Sequence, residues 1–234
     1  MMSCIALSTS AAIAASMLLC TDATAQSERS NQAIEAALQL APDLRHGKQL
    51  YQKLCSSCHG RTAGGAPDTV VPALAGQIPL YLIKQMVDLS EGLRPNQTMH
   101  RELARTDVTT EQALADIAGY VAKLPRMARP QWGAGTDLAV GKKYYDGLCA
   151  FCHGQQGEGN AEHATPMLAH QHYSYLLLQM KDLNQGHRYS VDVAVMDALQ
   201  ALDPQTLRAV ADYASRLPGD APEAKAPAKS DSSR

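Results

Sequence analysis

The sequence predicts an all-α chain made of two tandem copies of one small helical domain. Three observations carry this. Apolar residues recur at helical spacing, as in Ala113, Leu114, Ile117, Tyr120 and Val121, and no stretch of useful length alternates with the period of a strand. Much of the chain repeats at an offset of 94 residues. The five-residue pattern C-x-x-C-H stands once in each copy, as Cys55-Ser56-Ser57-Cys58-His59 and as Cys149-Ala150-Phe151-Cys152-His153.

C-x-x-C-H is the attachment signature of c-type haem. Two thiols three positions apart lie on one side of a helical turn, where both can add to the vinyl groups of one porphyrin. The adjacent histidine then stands over the ring and can bind iron. A thioredoxin-like pair or half of a zinc site would also use C-x-x-C. A zinc ribbon has no need of a His directly after each pair, and no βαβ pattern surrounds either copy. Cofactor attachment through Cys55, Cys58, Cys149 and Cys152, with His59 and His153 as proximal iron ligands, is therefore expected. Aromatic residues make up only 5% of the chain, and a large flat apolar group in each core would supply the missing bulk.

Residues 1–25 read as a secretory signal. Ile5 to Leu19 is apolar or small, and Ala23-Thr24-Ala25 forms an A-x-A cleavage site before Gln26, although no Lys or Arg precedes the run. Leu19 is too large to precede a lipid-bearing Cys20, and the run is short for a membrane span. Of six cysteines, Cys4 and Cys20 would leave with the signal. The remaining four are the two C-x-x-C pairs, so neither a structural disulfide nor a cysteine nucleophile is expected. Export agrees with the motif, because haem is attached to such chains outside the cytoplasm.

Residues 26–43 are a leader segment, a short helix or an arm with Ala33, Ile34, Ala37 and Leu38 at helical spacing before Pro42. Domain 1 is expected over 44–125, a linker over 126–137, domain 2 over 138–218, and a tail rich in Ala, Pro, Lys and Ser over 219–234. Each domain reads as helix, loop, helix, loop, helix. The first helix, about 44–58 and 139–152, runs into the C-x-x-C-H motif. A glycine-rich loop follows: Gly60, Gly64 and Gly65, then Gly154, Gly157 and Gly159. The middle helix covers about 78–91 and 173–185. The last helix starts at a Thr109 or Thr110 cap in one copy and at Asp203-Pro204 in the other. In the linker, Trp132 is expected to pin the chain to a domain surface.

An iron with His on one face needs its other face accounted for, and Met there raises the potential and closes the site. Met86 and Met180 repeat each other on the apolar face of the middle helix and are read as core; Met127 lies in the linker, and Met167 is matched by Ala73. Met99 and Met196 remain, 40 and 43 residues after the proximal histidines, in the loop before each last helix. They are the expected sixth ligands, with His100 and His187 as rivals. His46, His163, His170 and His172 are read as surface or core. Pro72 and Pro166 each fall 13 residues after the proximal His, where a proline carbonyl could accept the ring N–H and fix the imidazole.

The two C-x-x-C-H-G motifs, the run Pro72-Ala73-Leu74-Ala75-Gly76-Gln77 with Tyr81-Leu82 and Gln85, and the later Met resemble the cytochrome c4 family, in which two class I cytochrome c domains stand in tandem. The second copy keeps Pro166, Leu168, Tyr175 and Gln179, with His170-Gln171 in place of the Gly-Gln pair. The resemblance covers about residues 44–218. It implies two covalently attached haem c groups, His/Met ligation of both, a pseudo-twofold pair of domains, and periplasmic one-electron transfer without catalysis. Partners of that kind would be a terminal oxidase, a bc1-type complex or a dehydrogenase, and peripheral association with a membrane is left open. The alternatives are a cytochrome subunit of a periplasmic dehydrogenase (a flavocytochrome) and a two-haem redox enzyme with one open iron.

Charge divides between the halves. Residues 42–130 hold eleven Lys/Arg and eight Asp/Glu, a formal +3; residues 131–218 hold six and nine, a formal −3. Oppositely charged ends could steer different partners. No basic run with interleaved aromatics points to nucleic acid.

Overall fold

The computed structural model describes residues 28–104, 107–188 and 191–219. The expected signal segment and the tail beyond Gly219 lie outside them. Among the described residues, β structure is limited to the isolated bridges Ala66–Val71 and Asn160–Thr165. A leader helix α1 (residues 28–39) precedes domain 1. That domain holds α2 (Leu44–Leu50), α3 (Ser56–His59), α4 (Pro79–Ser90), α5 (Gln97–Ala104) and α6 (Glu111–Ala122). Domain 2 holds α7 (Leu138–Tyr144), α8 (Ala150–His153), α9 (Tyr173–Asn184), α10 (Val193–Gln200) and α11 (Pro204–Ser215).

Two features of these helices differ from the expectation. The long first helix is not uniform. In each copy one five-residue π-helical turn, Tyr51–Cys55 and Tyr145–Cys149, separates its α-helical parts. Such wide turns concentrate at functional sites, and here each one delivers the first cysteine of the motif. The segments holding Met99 and Met196 are not loops either; they are the helices α5 and α10. Asn96 caps one by accepting from the Met99 amide at 3.0 Å, and Asp192 caps the other by accepting from the Ala194 amide at 2.8 Å.

The first and last helices of each domain cross at a glycine. A Cβ on Gly47 would lie 2.0 Å from the Asp116 carbonyl oxygen, and one on Gly141 would lie 2.1 Å from that of Ala209. The backbones touch, so no larger residue fits. Around each crossing sits a separate core. Tyr51, Leu82, Ile83, Leu114, Ile117 and Val121 make one, and Tyr145, Leu176, Met180, Leu207 and Val210 make the other. Met86 packs against the first core, so both middle-helix methionines are core, as expected.

The last helix of each domain also holds the chain entering that domain, through one buried carboxylate. Asp116 accepts from the Asp43 amide and from His46, while the α1 residue Ala37 is buried in the first core. Asp212 accepts from the Gly133 and Gly135 amides and pairs with Arg216, whose guanidinium lies 5.0 Å from the Trp132 ring centre. Trp132 thus pins the linker, and the leader is a packed helix.

The two domains meet through a reciprocal exchange. Gln77 bonds the backbone of Met167 in both directions, and Gln171 bonds the backbone of Ala73 likewise, at 2.8–3.0 Å. Equivalent side chains on equivalent backbone make the pair pseudo-twofold. Among the described residues, no helix is long and apolar enough to cross a membrane.

Gly141→Ala is expected to lose about 1–3 kcal/mol or more by forcing α7 off α11. Gly147→Ala, where nothing lies within 4 Å, should change stability by less than about 0.5 kcal/mol. Thermal unfolding of the two variants checks the contrast; equal midpoints would contradict the crossing.

Candidate functional site

Each C-x-x-C-H motif spans the end of a π turn and a single α-helical turn. Cys55 and Cys149 are half-buried, and Cys58 and Cys152 are exposed. Burial, reinforced by the second thiol, pushes the Cys55 and Cys149 thiols up to about 11 before any cofactor is attached. Among the described residues no three His, Cys, Asp or Glu side chains gather to hold a metal ion.

Both proximal histidines follow one plan. His59 Nδ1 lies 3.2 Å from the Pro72 carbonyl oxygen, and His153 Nδ1 lies 2.9 Å from that of Pro166. Nδ1–H donates to the carbonyl, which fixes the ring plane and leaves the Nε2 lone pair for a metal. Burial lowers both pKa values below the ordinary histidine range, against the opposite pull of the proline carbonyl. The imidazoles are thus held neutral, the form that binds iron.

The loops after the motifs bring those prolines into place by unusual backbone. Left-handed residues recur at the repeat offset: Gly60 and Gly154, Ala63 and Gly157, Gly65 and Gly159, Val70 and Ala164, Gly76 and His170. Four of these ten are not glycine. Non-glycine residues persist there at a cost, so the surroundings must over-determine the path. Gly65 and Gly159 are compelled as well by space: a Cβ would lie 2.5 Å from the Val71 carbonyl oxygen and 2.6 Å from that of Thr165. Their amides bond back to the carbonyls of His59 and His153. Below, Tyr51 and Tyr145 are fully buried and donate to the Gly60 and Gly154 carbonyls at 2.7 and 2.8 Å. These tyrosines were missed as parts of the site, although their repetition nine residues before each glycine was the available signal.

Met99 and Met196 are partly buried against the core of their own domain. The rival His100 is exposed, with Nδ1 on the Leu89 carbonyl at 3.1 Å, and His187 is exposed. His172 is buried, accepting from the Gln131 amide and donating to the Gly64 carbonyl, and His170 reaches the carbonyls of Met127 and Pro218. His46 serves Asp116. The residues therefore fit haem: a thiol pair, a neutral oriented imidazole and a core short of aromatics in each domain.

Comparison with known proteins agrees. The cytochrome c family profile matches residues 44–125 and 138–217. The chain is 35% identical over 178 residues to cytochrome c4 of Azotobacter vinelandii, covering 70% of this chain and 84% of that one. It is 28% identical over 185 residues to a cbb3-type cytochrome c oxidase subunit of Bradyrhizobium diazoefficiens, covering 74% and 60%. Reduced recombinant cytochrome c4 from Pseudomonas stutzeri superposes with a TM-score of 0.67 at 27% identity, over 76% of this chain and all of the other. The thiosulfate dehydrogenase of Marichromatium purpuratum superposes with a TM-score of 0.66 at 28% identity, over 76% of this chain and 41% of that one. With two C-x-x-C-H centres on tandem helical domains, the chain belongs to the cytochrome c4 family and carries two covalently bound haem c groups.

Proposed function

We propose that this chain is an exported two-haem carrier of single electrons, with domains over 44–125 and 138–218 and with His59/Met99 and His153/Met196 as axial ligands. One observation carries the reading: each thiol pair is followed by a neutral imidazole whose Nδ1 is tied to a proline carbonyl. Haem c supplies a one-electron iron couple. The protein's part is to hold it. Cys55 and Cys58, and Cys149 and Cys152, anchor each ring. The proline carbonyls raise the donor strength of the imidazoles. Met99 and Met196, packed against the cores from α5 and α10, would each supply a thioether as the sixth ligand, and an iron so ligated would have no open position for a reacting molecule. Met ligation also favours the reduced iron.

Residues 1–25, read as a secretory signal, and haem attachment outside the cytoplasm support export to the periplasm. The formal +3 of residues 42–130 and −3 of residues 131–218 fit entry and exit of electrons at opposite ends, with a terminal oxidase or a bc1-type complex among the partners. A second reading has one favouring observation. The likeness to part of a thiosulfate dehydrogenase chain suits a cytochrome module that serves a dehydrogenase.

Reduced holoprotein should show two methionine methyl proton resonances shifted far upfield by the haem ring currents. Met99→Ala and Met196→Ala should each remove one, and each should lower the potential of one haem. His100→Gln and His187→Gln should leave both resonances in place; loss of either in a histidine variant would reassign the ligand. Electron-transfer rates with a basic and an acidic redox protein should both fall as salt rises, each partner using the oppositely charged domain. Rates indifferent to salt would contradict the steering.

A further inference from the structure

Each proximal histidine is connected, through a single peptide group, to a glutamine of the opposite domain. The acceptor for His59 Nδ1–H is the Pro72 carbonyl, at 3.2 Å. That carbonyl shares its peptide plane with the Ala73 amide, and this amide donates to Gln171 Oε1 at 2.9 Å. Domain 2 repeats the arrangement. His153 Nδ1–H donates to the Pro166 carbonyl at 2.9 Å, and the Met167 amide of the same peptide donates to Gln77 Oε1 at 2.9 Å. Imidazole, peptide and carboxamide thus form one continuous hydrogen-bond chain in each copy. Both chains cross the interface, because Gln171 belongs to domain 2 and Gln77 to domain 1.

The orientation of the two carboxamides is settled by their other bonds. Each Nε2 donates to the carbonyl of the residue whose amide its Oε1 receives, Gln171 to Ala73 at 2.8 Å and Gln77 to Met167 at 3.0 Å. Each Oε1 also accepts the amide of the next residue, His172 or Ile78, at 3.0 Å. A flipped carboxamide would set its NH2 against two amide N–H groups and its oxygen against a carbonyl, so Oε1 is the atom that faces Ala73 and Met167. The chains run through the interior: Gln77, Gln171, Ala73 and Met167 are all buried.

The two ends of a peptide group polarise each other, and linked hydrogen bonds strengthen one another where the dielectric is low. Donation by the Ala73 and Met167 amides therefore makes the Pro72 and Pro166 carbonyls stronger acceptors. An imidazole that donates to a stronger acceptor is a more basic ligand, and a more basic ligand favours oxidised iron. We propose that Gln77 and Gln171 are positioning residues that each tune the proximal histidine of the other domain. The potential of one haem then depends on a side chain anchored in its neighbour, and the docked pair of domains sets both. A glutamine that only satisfied a buried amide would hold the interface and leave the potentials alone. The inference rests on His59 and His153 as proximal ligands and not on Met99 or Met196.

The test uses full-length holoprotein carrying Gln171→Leu or Gln77→Leu, each confirmed by mass to hold two haems. Leucine is close to glutamine in size and has no polar atom to accept the amide. The midpoint potential of each haem is measured, and proton resonances of the reduced protein assign the haems. Gln171→Leu should raise the potential of the haem bound by His59 and leave that of His153 near native; Gln77→Leu should do the reverse. Strengthening of roughly 10–30% per bond leads us to expect about a threefold change in the ratio of reduced to oxidised haem, or about 28 mV at 59 mV per tenfold. The Nδ1–H resonance of the affected histidine should move upfield in the same crossed pattern, as its acceptor weakens. Ser174→Ala removes a different bond across the interface, from Ser174 Oγ to the Pro67 carbonyl at 3.1 Å, and should move neither potential. Gln77→Leu decides the matter if Gln171→Leu does not fold. Native potentials in the Leu variants, equal shifts at both haems, a shift only at the haem of the substituted domain, or a shift as large in Ser174→Ala would overturn the proposal. Native His59 or His153 ring protons without the upfield shift of a haem-bound imidazole would overturn the ligand assignment, and the proposal with it.

Discussion

The bond from a buried histidine Nδ1 to a proline carbonyl is the constraint on which the rest of each domain depends. It decides the tautomer, leaves Nε2 for iron, and sets the ring plane over the thiol pair. To make it, the chain must turn back within 13 residues, and the turn passes through left-handed positions in both copies. The buried tyrosine strut from Tyr51 or Tyr145 and the glycine crossing at Gly47 or Gly141 then hold the motif against the last helix. Strain in the loop is tolerated because every surrounding contact selects the same path. Two copies that differ in most side chains share all of these features.

Most of the fold could be read in advance because its signals are local or doubled. The caps at Thr110 and Asp203, and the carbonyls of Pro72 and Pro166 that orient the histidines, lie where residue type and repeat offset put them. The α5 and α10 helices read as loops in the sequence because each is only eight residues long. A helix that short has little periodicity to show, although Asn96 and Asp192 were cap residues in plain view. Gly47-Lys48 and Gly141-Lys142 stand at the repeat offset of 94 residues, but the close backbone crossing that explains the glycines is a long-range fact. The same holds for Gln77 and Gln171. Their repetition was visible; their burial against the opposite domain was not, because side-chain pairing across an interface leaves no periodic trace.

What distinguishes the domains lies outside this shared frame. Asp116 holds a leader helix, whereas Asp212, from a different position on the last helix, holds the linker and its tryptophan. Between the anchoring cysteines, domain 1 carries Ser57 where domain 2 carries Phe151, which is 97% exposed. Together with the opposite formal charges, these differences give two otherwise equivalent centres separate surfaces toward partners. A two-centre carrier needs that inequality if electrons are to enter and leave by different ends.

The central claim is that both irons are closed by protein ligands, so that the chain passes electrons on and does not act on a bound molecule. Exposure of the fully reduced holoprotein to carbon monoxide tests this most directly, because ferrous haem with an open or weakly held sixth position binds it. The account predicts unchanged visible spectra for both haems at neutral pH. A carbon monoxide complex at either haem would contradict it and would favour a redox enzyme with one open iron.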